Sequence, residues 1–220
     1  MQAIVETLFD MIYLSTVTFL GFKMLKEHGG RRQYALYGFM ALILGFGDAF
    51  HLVPRAVALS TTGLADYTAA LGIGKLITSI TMTFFYVILC YVWRERYQVM
   101  GRQGLTKWVW ILATTRMILC LMPQNQWISA TPPLSWGIYR NIPFAILGLL
   151  VTVLFYQFAK KSEDTAFRNL WLTIVLSFGF YIPVVRFADT IPMIGVLVIP
   201  KTCAYVWTVW IGYKAMKIGK

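Results

Sequence analysis

An all-α fold, a polytopic membrane bundle of seven transmembrane helices, is predicted by three observations. Charged residues are scarce, apolar stretches long enough to cross a bilayer follow one another, and Lys and Arg crowd into alternate connections. The 220 residues are 58% hydrophobic and only 13% charged, whereas a soluble domain carries roughly 25% charged residues to wet its surface. A chain of this make-up must turn much of its outer surface to lipid. One crossing takes about 20 apolar residues. Seven crossings with short connections therefore occupy residues 1–220 as a single integral membrane domain.

The spans fall near residues 3–24, 34–57, 71–94, 106–122, 138–159, 168–187 and 191–213. Their length and lack of period-2 alternation exclude strands. Glu6 and Asp10 interrupt the first, and no basic segment precedes it, so it does not read as a signal peptide. The second carries Asp48, His51 and Arg55 with Pro54, and Lys75 opens the third. The fourth is the shortest and contains Arg116; were it to stop short of crossing, the count would be six. Arg140 and Asn141 open the fifth, Arg186 and Asp189 close the sixth, and Lys201 lies near the middle of the seventh.

The connections set the orientation. Lys23, Lys26, Arg31 and Arg32 follow span one; Arg94, Arg96, Arg102 and Lys107 follow span three; Lys160, Lys161 and Arg168 follow span five; Lys214, Lys217 and Lys220 follow span seven. These are 14 of the 20 basic residues, while connections 58–70 and 123–137 hold none. Cytoplasmic loops retain Lys and Arg, which places the N-terminus outside and the C-terminus in the cytoplasm of a cell-membrane protein. The same clustering explains the net charge of +11 without a contiguous nucleic-acid surface.

Spans one to three also echo spans five to seven. Val17-Thr18 with Leu20 and Lys26 matches Val151-Thr152 with Leu154 and Lys160, and Leu44-x-Phe46-Gly47 matches Leu176-x-Phe178-Gly179. Ile80, Thr83, Tyr86 and Val87 match Ile199, Thr202, Tyr205 and Val206. One unpaired helix between the halves makes this a parallel 3+1+3 repeat, and transporters commonly bind their substrates between such halves.

In the predicted orientation every intramembrane charge falls in the outer half or at the outer rim. Asp10, Asp48 and Arg116 lie roughly 10 Å below the outer edge at about 1.5 Å per residue. A charge at such depth costs about 2.5–3.5 kcal/mol on insertion scales. The charges are therefore expected to face one another or a wet, outward-open pocket. Candidate ligand-binding residues are Asp10, Asp48, His51, Arg55, Lys75, Arg116, Arg140, Asn141, Arg186 and Lys201. Asp48, His51 and Arg55 share one helix face at i, i+3 and i+7. The plainer alternative has Asp48 neutralising Arg116, Lys75 or Lys201 and the set only locking the bundle.

Pro200 precedes Lys201, so a kink or unwound turn is expected there. The 123–137 connection is rich in Pro, Trp and amides; it reads either as a lid or as an ordinary interfacial belt. Tyr205, Trp207, Trp210 and Tyr213 read as packing and interface residues. Cys90, Cys120 and Cys203 lie in apolar stretches and read as buried packing residues. With two histidines, one of them the loop residue His28, no metal site is expected.

Leu44-Gly45-Phe46-Gly47-Asp48-Ala49-Phe50-His51-Leu52-Val53-Pro54-Arg55, Arg140-Asn141-Ile142-Pro143-Phe144 and Ile199-Pro200-Lys201-Thr202 resemble an uncharacterised family of small bacterial seven-helix membrane proteins. That resemblance implies no activity. The 3+1+3 plan is similar in architecture to the PQ-loop and sugar-efflux transporters, the microbial opsins and the lysoplasmalogenase-like membrane hydrolases. Each comparison has a departure. Pro123-Gln124 ends the unpaired fourth span instead of lying within a repeat. The opsin likeness implies retinal on Lys201, but span three has no carboxylate and Asp48 would have to substitute. Gly47-Asp48 is similar to the hydrolases' early Gly-Asp pair, but Phe180 stands where the repeat would place a second acid.

Two functions follow as expectations. Arg55, Lys75, Arg116, Arg140, Arg186 and Lys201 outnumber Glu6, Asp10, Asp48 and Asp189. This favours binding or transport of a small polar or anionic ligand, a carboxylate, phosphate or lipid headgroup. The alternative is an intramembrane lipid hydrolase in which Asp48 activates water and His51 relays the proton, or a sensory or structural protein without chemistry. The orientation is directly testable in a background lacking Cys90, Cys120 and Cys203. Cysteine at Thr62→Cys or Ser129→Cys should react with an impermeant maleimide on intact cells, and at Ser162→Cys only after lysis. The opposite pattern would invert the protein.

Overall fold

The computed structural model describes residues 2–187 and 191–218, and no strand occurs among them. Seven helices of the described residues are long and apolar enough to cross a membrane. They are α1 (Gln2–Glu27), α2 (Arg32–Ser60), α3 (Thr68–Arg96), α4 (Gln103–Leu121), α5 (Leu134–Lys161), α6 (Leu170–Phe187) and α7 (Val198–Ile218). Hydrocarbon offers no hydrogen bonds to the backbone, so long apolar runs satisfy their N–H and C=O groups internally as helices. The 29-residue α2 and α3 exceed the roughly 30 Å hydrocarbon thickness, whereas the 19 residues of α4 and 18 of α6 barely span it.

Short connections make neighbours antiparallel. The first is a tight turn at Gly29 and Gly30, both at positive φ (59° and 77°), a region that suits glycine. Each helix packs on the next in sequence, and α1 meets α7, so the bundle closes into a ring; α3–α5 and α2–α7 contacts cross it. The odd-numbered helices begin at what we term the N-terminal end of the bundle.

Packing is closest between α1, α2 and α3. The Gly38 backbone faces the Gly21 carbonyl across the α1–α2 contact. Thr78 Oγ1 donates to the Gly47 carbonyl at 3.0 Å between α2 and α3. A Cβ on Gly74 would run into the Phe50 carbonyl and the His51 Cα. Elsewhere the core is aromatic: Tyr86, Phe144 and Phe178 sit edge-on or tilted at centroid separations of 5.0–5.6 Å. These are favourable ring geometries.

Two expectations are corrected. Pro200 does not break a helix in mid-membrane. A 3-10 stretch, Pro192–Leu197, leads into α7, which begins at Val198. Pro200 therefore occupies the first turn, where its missing N–H has no helical acceptor to lose. Because α7 runs from Val198 to Ile218, Lys201 sits in its first turn and not near the middle of the helix. Cys203 is exposed on the outer face of α7, while Cys90 and Cys120 are buried. An apolar residue in a membrane helix has lipid as an alternative to the core. Asp189 lies outside the described residues.

At the opposite end a polar clamp holds the α5–α6 connection to α3. Asp164 accepts from Arg96 Nε and Nη2 at 2.8 and 2.9 Å, from Tyr97 OH at 3.1 Å, and from the Ala166 and Phe167 amides at 3.1 and 3.3 Å. Burial pushes this carboxyl up. The Arg96 hydrogen bonds and charge, the Phe167 amide and the Tyr97 hydroxyl together outweigh it and hold Asp164 below the usual carboxylate range.

Two predictions follow. Gly74→Ala should destabilise the detergent-purified protein by about 1–3 kcal/mol through backbone overpacking. Gly179→Ala, with open space around its Cβ, should be neutral or gain up to about 1 kcal/mol of helix propensity. Equal effects on thermal unfolding would contradict the packing described. For Asp164, a folded pKa below the unfolded value of about 3.9 gives a stabilisation complete above that value and lost as pH falls through the folded one. Asp164→Asn should therefore flatten the acid limb of the stability curve; an unaltered limb would remove the clamp's electrostatic role.

Candidate functional site

Arg116 projects from α4, one turn before the helix ends, into the interior of the bundle. It is 2% exposed. The guanidinium carbon lies 3.3 Å from the centre of the Phe144 ring of α5. Nε and Nη1 are buried without any hydrogen-bond partner, which leaves three of its five N–H donors unused. Ion pairs among the described residues join Arg32 to Glu95, Arg55 to Glu6, Arg96 to Asp164 and Lys217 to Glu27; none reaches Arg116. Tyr181, Tyr205 and Arg140 are near enough to act on it electrostatically.

The magnitudes show how unusual this is. A buried charge retains a desolvation penalty of several kcal/mol after relaxation. A desolvated cation–π contact returns about 2 kcal/mol. The ring alone does not offset the burial, so the arrangement has capacity for an anionic partner.

Around Arg116 the other predicted residues separate into groups. Arg140 donates Nη1 to Asn125 Oδ1 at 2.8 Å and lies 4.2 Å from the Trp127 ring. Asn125 is fully buried, and its Nδ2 caps the end of α4 through the Leu119 and Met122 carbonyls at 2.6 and 2.8 Å. The 123–137 connection thus folds back onto the bundle: Trp127 Nε1 donates to the Cys120 carbonyl at 2.8 Å, and the Trp127 carbonyl sits against Gly72 of α3. Asn141 donates to the Gly137 carbonyl at 2.8 Å, and its own Oδ1 is buried without a partner.

Lys201 is half-buried, its Nζ 5.3 Å from the Tyr181 ring and 5.7 Å from the Tyr205 ring. It lies within electrostatic reach of Asp10 and Asp48. Asp48 is 8% exposed and accepts a 2.6 Å hydrogen bond from Tyr13 OH of α1. It makes no ion pair among the described residues, so it does not directly neutralise Arg116, Lys75 or Lys201. Tyr86 OH and Ser177 Oγ are 3.4 Å apart between α3 and α6. Tyr205 lies within electrostatic reach of both Arg116 and Asp48.

Other candidates lie away from this interior. Arg55 pairs with Glu6 at 2.9 Å at the N-terminal rim. Lys75 is exposed, and Arg186, also exposed, lies over the Phe187 ring at 5.3 Å. The six cations therefore do not converge; Arg116, Arg140 and Lys201 form the inner set. His51 Nδ1 meets the Leu71 carbonyl at 3.3 Å, while Asp48 is engaged by Tyr13, so these two carry no mutual hydrogen bond. Nor do Arg116 and Asp48 open onto water: side chains enclose both. Exposure falls from Asp10 and Lys201 inward to Asp48 and Arg116.

Tyr13, Asn125 and Phe144 join these groups without being singled out by the pattern of charges in the sequence. Spacing held a signal for two of them, since Tyr13 follows Asp10 by three residues and Phe144 follows Arg140 by four, each pair sharing a helix face. Among the described residues no group of three or more His, Cys, Asp or Glu is placed to hold a metal. Comparison of the chain with protein-family models, curated proteins and solved structures found no match.

Proposed function

We propose that this protein binds a small anion, a carboxylate or phosphate, at Arg116 and carries it across the membrane. The observation that carries the reading is the enclosed guanidinium with unused donors and, among the described residues, no ion-paired carboxylate. An anion would supply the missing charge, and charge-assisted hydrogen bonds to guanidinium are among the strongest in proteins. Arg140 adds positive potential beside Arg116. The Tyr86 hydroxyl, 3.4 Å from Ser177 Oγ, is a neutral polar group within electrostatic reach of Arg116.

Alternating basic connections support an N-terminus outside and a C-terminus in the cytoplasm, with the site nearer the outer face. A parallel 3+1+3 repeat would set α1–α3 against α5–α7 with Arg116 on the unpaired α4. The difference in packing supports a moving half. Glycine contacts knit α1–α3 closely, whereas α6 is short, contains Pro183 and has open space at Gly179. Displacement of α6 and α7 would uncover a site that is closed in this conformation.

Thermal unfolding of the purified protein tests the reading. A bound anion at one hundred times its Kd should stabilise by about 2.7 kcal/mol. Arg116→Met should abolish that shift while leaving the anion-free protein as stable as before, or more stable by about 1 kcal/mol, since an apolar replacement removes an unpaired buried charge. Severe destabilisation by Arg116→Met would assign the guanidinium a structural role. A wild-type protein indifferent to carboxylates and phosphates alike would end the proposal.

A further inference from the structure

A cleft of about 350 Å³ lies at the opposite end of the bundle, where α5 ends and α6 begins, between Tyr156, Ala159, Lys160, Asp164, Arg168 and Trp171. Glu163 and Thr165 complete its rim. Its floor is aromatic: the Tyr156 and Trp171 rings meet edge-to-face at 5.3 Å. Lys160 stands over the Tyr156 ring at 5.9 Å.

The charges in this cleft are not equivalent. Asp164 is fully engaged by Arg96, Tyr97 and two amides, so its charge is already matched. Lys160 and Arg168 have no acidic partner among the described residues, and they outnumber the remaining Glu163. Several neighbouring cations are engaged otherwise. Arg32 pairs with Glu95, Lys217 with Glu27, and Arg94 donates to Thr106. The cleft therefore gathers two available cations over an aromatic floor.

What leads up to it narrows the ligand class. Leu149, Val153 and Tyr156 are 65%, 41% and 45% exposed and recur at i, i+4 and i+7 on α5; Lys160 continues the same face at i+11. An apolar stripe of about two turns thus runs along the lipid-facing side and ends at a lysine. Aromatic residues sit where a helix leaves the hydrocarbon, which sets Tyr156 and Trp171 at headgroup level. A ligand matching this surface has an acyl chain for the stripe and an anionic head for the cations.

We infer that the α5–α6 corner is a binding site for an anionic phospholipid. The acyl chain lies along Leu149, Val153 and Tyr156, and the phosphodiester is held by Lys160 and Arg168. Trp171 closes the cleft behind the headgroup. The site is separate from Arg116 and does not depend on the function proposed for it.

Native mass spectrometry of the full-length protein in detergent, titrated with phosphatidylglycerol or phosphatidylcholine, tests this inference. The wild type should retain phosphatidylglycerol preferentially. Lys160→Gln with Arg168→Gln should weaken that retention roughly 30-fold, each cation contributing about fivefold at a headgroup. The control pair Lys26→Gln with Lys107→Gln, exposed cations outside the cleft, should retain the lipid as the wild type does. Equal weakening by both pairs would reduce the effect to general surface charge and overturn the site. Unchanged retention in the cleft variant would do the same, as would full displacement of phosphatidylglycerol by millimolar inorganic phosphate, which would make the acyl chain irrelevant. The substituted residues are exposed, so a monodisperse gel-filtration profile matching the wild type is expected of every variant.

Discussion

Hydrocarbon cannot solvate a charge, and the interior of this bundle is arranged around that constraint. Asp48 rests on a tyrosine hydroxyl, Arg55 on Glu6, and Arg140 on the Asn125 amide. Lys201 lies between two tyrosine rings. Each of these charges has found a polar group, an opposite charge or a ring, with enough exposure in several cases to keep some contact with solvent. Arg116 meets the same constraint least completely. It has a phenyl ring against one face, the Cys120 thiol within reach, and Nε and Nη1 without a hydrogen-bond partner. Since helix, loop and aromatic core are otherwise well matched, this discrepancy is the most informative feature of the molecule.

Packing divides the ring into a firm part and a looser one. Glycines at the α1–α2 and α2–α3 contacts bring backbones close enough that a methyl group would collide. Dispersion contacts over long helices make that part resistant to deformation. The α5–α7 side relies on larger rings, a short α6 and a helix start preceded by 3-10 backbone. Groups lining the Arg116 side, Ser177 and Tyr181 on α6 and Tyr205 on α7, belong to this looser part. Motion there would change the surroundings of Arg116 without disturbing Asp48 and Tyr13, which belong to the firm part.

The two ends of the bundle solve different problems. At the N-terminal end, the 123–137 connection turns inward: Asn125 both caps α4 and orients Arg140, so a single amide ties a loop to a helix terminus and to a half-buried cation. At the other end, Asp164 gathers Arg96, Tyr97 and its own loop amides, which fixes the α5–α6 corner. That fixed corner keeps the cleft between Lys160 and Arg168 open and outward-facing. One polar residue at each end thus sets the shape of the surface around it.

Composition and hydrophobic run length alone determined the helical class and the seven membrane-length segments, because backbone hydrogen bonding in lipid admits few solutions. Observed helix limits differ from the sequence reading by a few residues, mostly where helices extend beyond the apolar stretch into polar ends such as Arg94–Arg96 and Lys160–Lys161. The residue types of the site were legible too, since a charge in an apolar stretch stands out. Their grouping was not. Whether Arg186 or Arg116 faces the interior depends on helix rotation and on which neighbour lies opposite, and apolar surfaces that pack equally well on lipid or protein leave a weak trace of that in sequence. Only tertiary structure gave Asp48 to Tyr13, Arg140 to Asn125 and Arg116 to Phe144, because each pairing joins residues from different helices or loops. The enclosure of Arg116 depends on the simultaneous packing of α3, α4, α5, α6 and α7, which no local pattern encodes.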